Sequence, residues 1–179
     1  MSEVEQAPWQ KGLKMEAFPR EFQLDMKEFI GQRTALFAYY AAFPEDKFST
    51  EIATGSDSPR QELIHQIEHT YARAKALGTG NLPSYKYREE YPELQSLDGL
   101  DKKTLINYFG TLTKFFLDFY QKPEAVEKRV KIPFVTYPMS TKILLRKMKE
   151  HDILHLGMLV KMADVFGTPR PQAMKDIWG

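Results

Sequence analysis

The chain of 179 residues contains four histidines and no cysteine, and the histidines fall into two pairs four residues apart, His65/His69 and His151/His155. Side chains four apart on a helix lie one above the other, so the imidazoles of His151 and His155 can converge on one point, as two ligands of a metal ion must. A third ligand is needed, and the best candidate is His65, on another helical stretch. Three imidazoles without a thiolate leave coordination positions open to water or substrate, the arrangement of a reactive site rather than a structural clamp. A lone inward histidine is more often hydrogen-bonded core than ligand. What favours a metal here is that all four histidines are paired and that the second pair lies in an apolar stripe. Without cysteine the site has only His, carboxylate and water to draw on. Imidazole suits Zn²⁺, Ni²⁺ and Fe²⁺ alike, so any of these divalent metals is an acceptable cofactor.

The stripe belongs to residues 140–166, where Leu144, Met148, His151, His155, Leu159, Met162 and Phe166 recur at spacings of three or four and so share one helix face. Ser140 caps this helix and the Gly167-Thr168-Pro169 sequence ends it. Asp152 is expected to face away from the stripe, and the basic cluster Lys142, Arg146, Lys147 and Lys149 to form a solvated face. A second helix is predicted over 59–77, with Ser58 as cap and Pro59 in the first position. Leu63, Ile64, Ile67, Tyr71 and Ala74 make its apolar side, and His65 lies on the flank of that side. Glu62 is expected to complete the cap. His69 lies further round, towards Gln66 and Arg73.

A third pattern, Phe22, Met26, Phe29, Arg33, Leu36, Phe37 and Tyr40, predicts a helix from Arg20 that stops at Phe43-Pro44. Arg33 on this stripe either anchors an anionic substrate group or snorkels outwards. Residues 102–120, capped by Asp101, repeat Leu105, Ile106, Phe109, Leu112, Phe116 and Phe119 at helical spacing, an aromatic stripe that belongs to the core. Long connections at 44–57 and 78–100 separate these helices. The second carries Tyr85, Tyr87 and Tyr91, and it either wraps an end of the molecule, the favoured reading, or forms a lid over a substrate entrance. Pro133 and Pro138 make the 132–138 stretch an extended crossing. Residues 1–19 read as a lead-in with a disordered end, whose Trp9 and Phe18 dock on the body. Ala173, Met174, Ile177 and Trp178 read as a short packed helix in a tail over 167–179. The economical fold is all-α, a four-helix bundle with long connections, in one domain spanning 1–179.

Lys and Arg number 25 against 24 Asp and Glu, and the net charge of +1 gives no electrostatic reason to expect nucleic acid or an anionic membrane as partner. The N-terminus is acidic and lacks the apolar run of a signal peptide, and no run is long enough to span a bilayer. A cytoplasmic protein is expected. Neither a glycine-rich phosphate loop nor a Gly-x-Ser-x-Gly elbow is present.

Ser58 followed by Glu62, Leu63 and His65 on one helix, with His151-Asp152-x-x-His155-x-Gly157-x-Leu159 on the last, resembles the DinB/YfiT-like superfamily over most of the chain from residue 20 to 166. The resemblance implies a four-helix bundle in which one histidine of the second helix and two of the last bind a divalent metal. It thus assigns His65, His151 and His155, the three that spacing proposes. His69 has no place in that pattern; it faces solvent or supports a ligand, with a four-histidine site as the alternative. Many such proteins follow the final histidine with Arg-Gly-Gln, where this chain has Leu156, Gly157 and Met158. The resemblance implies an enzyme acting on a small-molecule substrate, of the thiol S-transferase or hydrolase type, with a low-molecular-weight thiol as one class of partner and a homodimer as one assembly. The alternative is a non-enzymatic stress-response or binding module that retains the scaffold.

Overall fold

The structure is a computed structural model that describes residues 7–178, with side chains described as far as Lys175. In chain order the helices are α1 (Arg20–Ala42), α2 (Glu45–Phe48), α3 (Pro59–Thr79), α4 (Tyr87–Glu90), α5 (Lys102–Tyr120), α6 (Thr141–Phe166) and α7 (Gln172–Trp178). Short 3-10 turns occupy Met15–Ala17, Pro92–Gly99 and Pro123–Ala125. The fold is therefore all-α, and the β content of the described residues is a two-residue ladder and one isolated bridge. The ladder pairs β1 (Arg129–Val130) with β2 (Met139–Ser140), antiparallel, at the base of the proline-flanked 131–138 loop. The bridge joins Asn81 to Lys131.

The four long helices start and stop where their caps require. Ser58 accepts from the Gln61 amide while the Gln61 side chain accepts from the Ser58 amide, a reciprocal box that satisfies two otherwise orphaned donors. Gln61, and not the expected Glu62, is the capping partner. Glu62 points inwards. Asp101 accepts from the Thr104 amide at 2.7 Å, and Ser140 accepts from the Ile143 amide. Gly167 closes α6 at φ +66°, a left-handed conformation that glycine enters without a Cβ penalty.

α1 packs along α6 and α5, and α3 packs along α5 and α6, so all four long helices share one core. Aromatic rings fill much of it. Phe22 meets Tyr120 edge-on at 5.0 Å, and Trp9 meets Phe37 at 5.3 Å. Trp9 and Phe18 are buried, so the described part of the lead-in does dock on the body. The backbone of Gly110 makes the docking close, since a Cβ there would stand 3.3 Å from Pro8 Cγ. Residues 1–6, for which a disordered end is expected, lie outside the described residues. α7 packs on α1, and Met174 is partly buried against the core. The side chains of Ile177 and Trp178 lie outside the described set.

The 78–100 connection lies against α3 and is pinned there by ion pairs and hydrogen bonds. Arg88 bridges Glu68 and Asp98, and Arg60 donates to the backbone oxygens of Asp98 and Leu100. Within it the short α4 buries Tyr87. Two surface expectations change in the same way. Asp152 faces inwards, and Lys149 leaves the solvated face to hold Asp25 and Glu28 of α1. Among the described residues no helix is long and apolar enough to cross a membrane.

Candidate metal centre

α3 carries an unusual inward stripe, Glu62, Gln66, His69, Thr70 and Arg73, all buried and all polar. α6 answers with His151, Asp152 and His155, and α1 with Arg33 and Tyr40. A polar seam thus runs inside an otherwise apolar core: Glu62 pairs across helices with His155, and Arg33 with Asp152 and Thr70, while the Gln66 side chain and the Tyr40 hydroxyl have no partner among the described residues.

His65, His151 and His155 stand at one end of the seam, with one ring nitrogen from each lying within 4.8 Å of the other two. His151 Nε2 is 3.2 Å from His65 Nε2 and also 3.2 Å from His155 Nε2. A single ring proton cannot serve both contacts, so hydrogen bonding does not account for the convergence. Three ring nitrogens gathered this closely form a cluster that could hold a metal ion. Ligand nitrogens about 2.05 Å from a tetrahedral ion are about 3.3 Å apart, so the two observed spacings suit such an ion.

The electrostatics keep the ring lone pairs available. Burial above all, then the charges of His155 and His65, pushes the His151 imidazole down to about 2. Burial and His155 also lower His65. Both rings are therefore neutral at pH 7. His155 Nδ1 is hydrogen-bonded to the buried Glu62 carboxylate, an acceptor that calls for the proton on Nδ1 and turns Nε2 towards the other two rings. Sequence reasoning placed Glu62 in the cap. The signal that could have found its role is its heptad-like relation to Gln66, His69 and Arg73.

The burial of the α3 histidines reverses the sequence expectation. His65 is exposed at the mouth of the cluster, whereas His69, expected towards polar neighbours, is 5 % exposed. Its ring stacks flat on His151 at 3.5 Å between centroids. Stacking places His69 behind a candidate ligand. Burial, then the Arg73 charge, holds His69 well below the usual imidazole range. Leu156 is buried and Met158 part-exposed, so neither adds a polar group to the centre.

A pH dependence follows. His69 refuses in the native state a proton that the unfolded chain accepts near pH 6.5, so its contribution to stability is present above that pH and is lost as the pH falls below it. Each such proton costs about 1.4 kcal/mol per pH unit once the unfolded form is fully titrated. The metal-free protein is expected to melt progressively lower between pH 6.5 and 4.5. His69→Phe, which keeps a stacking ring, should flatten that slope. Parallel slopes for the two proteins would exclude His69 as its source.

Arg33 is neither a substrate anchor nor a snorkelling side chain. It is completely buried, donates from Nε to Asp152 Oδ2 at 2.7 Å and from Nη1 to Thr70 Oγ1 at 3.0 Å, and lies over the rings of Phe29 and Phe109. Asp152 is equally buried, which raises its carboxyl against the pull of Arg33. Asp152 follows His151 directly in sequence, so the pair braces the α6 face that presents His151 and His155.

Long helices sharing one core, with three imidazoles from two of them converging, define an all-α protein with a candidate metal centre. The chain belongs to the DinB family, whose model matches residues 16–176. Among solved structures, the crystal structure of the DinB-like protein YjoA from Bacillus subtilis has a similar fold. The TM-score is 0.61 at 17 % identity, covering 83 % of this chain and 95 % of that one. No curated protein matches.

Proposed function

We propose that this chain is a metal-dependent enzyme with the four-helix bundle arrangement of its family, in which His65, His151 and His155 hold a divalent ion. The observation that carries the reading is the convergence of three imidazole nitrogens, one of them oriented from behind by Glu62. A bound Zn²⁺, Ni²⁺ or Fe²⁺ would supply Lewis acidity and lower the pKa of a thiol or water at a position the protein leaves free.

The chain's own residues do the rest. Glu62 holds the His155 proton on Nδ1 and so directs Nε2 into the centre. The stacked His69 fixes the plane of His151. Exposed His65 leaves the mouth accessible, so a small substrate approaches from that side. A thiol S-transfer or a hydrolysis fits such a centre, with a low-molecular-weight thiol or water as nucleophile. A cytoplasmic location and a homodimer belong to this reading.

Metal content of protein purified without a histidine tag tests it. Close to one equivalent of a divalent metal, or uptake on titration, is expected, together with a rise in melting temperature on binding. Less than a tenth of an equivalent with no uptake would sink the reading. His65→Ala should weaken binding by at least the ten- to hundred-fold that loss of even a supporting partner brings, and His69→Ala by much less. Equal, large losses would replace the three-histidine centre with a four-histidine one. Metal binding with no turnover across a broad panel of electrophiles and esters would turn the reading to a non-enzymatic module.

A further inference from the structure

The second buried arginine of the seam has no ion-pair partner among the described residues, and the carboxylate whose charge reaches it, Asp152, is already held by Arg33. Arg73 is 8 % exposed, and its Nη1 donates to two neutral acceptors, the His69 carbonyl at 3.2 Å and the Tyr87 hydroxyl at 3.1 Å. Its Nε is buried without a partner, and among the described residues no carboxylate lies within ion-pair distance of it. Arg33, by contrast, has Asp152. A buried guanidinium remains charged, and a buried charge is costly unless paired. The Nε side of a guanidinium is the edge that grips a carboxylate or phosphate with two parallel hydrogen bonds.

Arg73 is next to the histidine centre. Arg73 is one helical turn from His69, whose ring stacks on His151, and its charge is among those lowering both imidazoles. From the same place a line of rings leads to the surface. Tyr87 stands edge-on to His69 at 6.2 Å, Tyr85 lies 6.3 Å from Tyr87, and Phe134 stacks on Tyr85 at 6.3 Å and 15°. Phe134 is 97 % exposed and has φ +64°, a left-handed backbone that a bulky residue adopts only at a cost. An apolar ring held in water on strained backbone is accounted for if something covers it.

We infer that Arg73 and the Tyr85–Phe134 pair form an acceptor site, beside the histidine centre, for a small organic oxyanion carrying an aromatic ring. The oxyanion takes the free edge of Arg73 and the ring packs against Tyr85 and Phe134. This deepens the functional proposal above and rests on it for the reacting centre, but the anion contact itself needs no metal.

The test therefore uses metal-free protein, with 2-naphthoate and 2-naphthyl phosphate as probes and acetate and 2-naphthol as controls, by titration calorimetry. Both probes, or the one whose oxyanion fits, should bind at least tenfold tighter than either control. Arg73→Met should lose at least tenfold in probe affinity. Phe134→Ala changes only a surface ring, so it retains the fold and metal uptake while the preference for 2-naphthoate over acetate falls towards one. Probes that bind no better than acetate, equal affinity in Arg73→Met and the parent, or an unchanged preference in Phe134→Ala would each overturn the inference. Metal uptake by the parent is read separately: Arg73-dependent anion binding without uptake refutes the metal reading alone, and uptake without anion binding refutes the acceptor site alone.

Discussion

Arg33→Met is expected to lower the unfolding free energy by about 3–5 kcal/mol, the cost of breaking a buried ion pair by removing one partner. The guanidinium and the Asp152 carboxylate are both 0 % exposed and 2.7 Å apart, so the mutant strands a carboxylate where water cannot reach it. Thr70 loses its donor as well, and the rings of Phe29 and Phe109 lose the cation that lies over them. For a domain whose whole stability is about 5–15 kcal/mol, that is a large fraction. The double variant Arg33→Met with Asp152→Leu should recover most of the loss, because two well-packed apolar groups need no counter-charge. Urea melts of the three proteins measure this. A single-mutant cost below about 1 kcal/mol, the range of an exposed pair, would mean that the pair is solvated and that the seam is not a dry one.

His155→Ala should abolish stoichiometric metal binding, since it removes one of three donors and, among the described residues, the one held from behind by a carboxylate. Helicity should survive, because the shared aromatic core of α1, α3, α5 and α6 does not pass through this ring. Stability should nevertheless fall by about 1–3 kcal/mol, because the buried Glu62 loses its partner. Glu62→Gln keeps the shape but weakens the orientation of His155, and a ten- to hundred-fold loss of affinity is expected. Equilibrium dialysis with far-UV circular dichroism and urea melts separates the two effects. Full metal stoichiometry in His155→Ala would remove His155 from the centre, and a collapse of helicity would make the site structural.

The helices and their ends were legible in the sequence because their causes are local. Ser58, Asp101 and Ser140 cap the residues that follow them, Pro44 stops α1, and Gly167 stops α6, all within one turn of the chain. The four-residue spacing of His151 and His155 placed two imidazoles together by the pitch of the helix alone, and His65 joins them in space. Periodicity failed where polar residues face inwards. The capping pattern put Glu62 in a cap, hydropathy put Asp152 and Lys149 at the surface, and the sequence allowed His69 either to face solvent or to support a ligand, yet all four are buried or nearly so. The cost of burying each depends on a partner from elsewhere in the chain: His155 for Glu62, Arg33 for Asp152, Asp25 and Glu28 for Lys149, and the His151 ring for His69. Arg33 and Asp152 are 119 residues apart in sequence. The sequence by itself thus determined where helices form and which residues could ligate. Only the tertiary structure decided which polar groups go inside, because the free energy of a buried charge is set by what stands next to it across the helix interface and not by its neighbours along the chain.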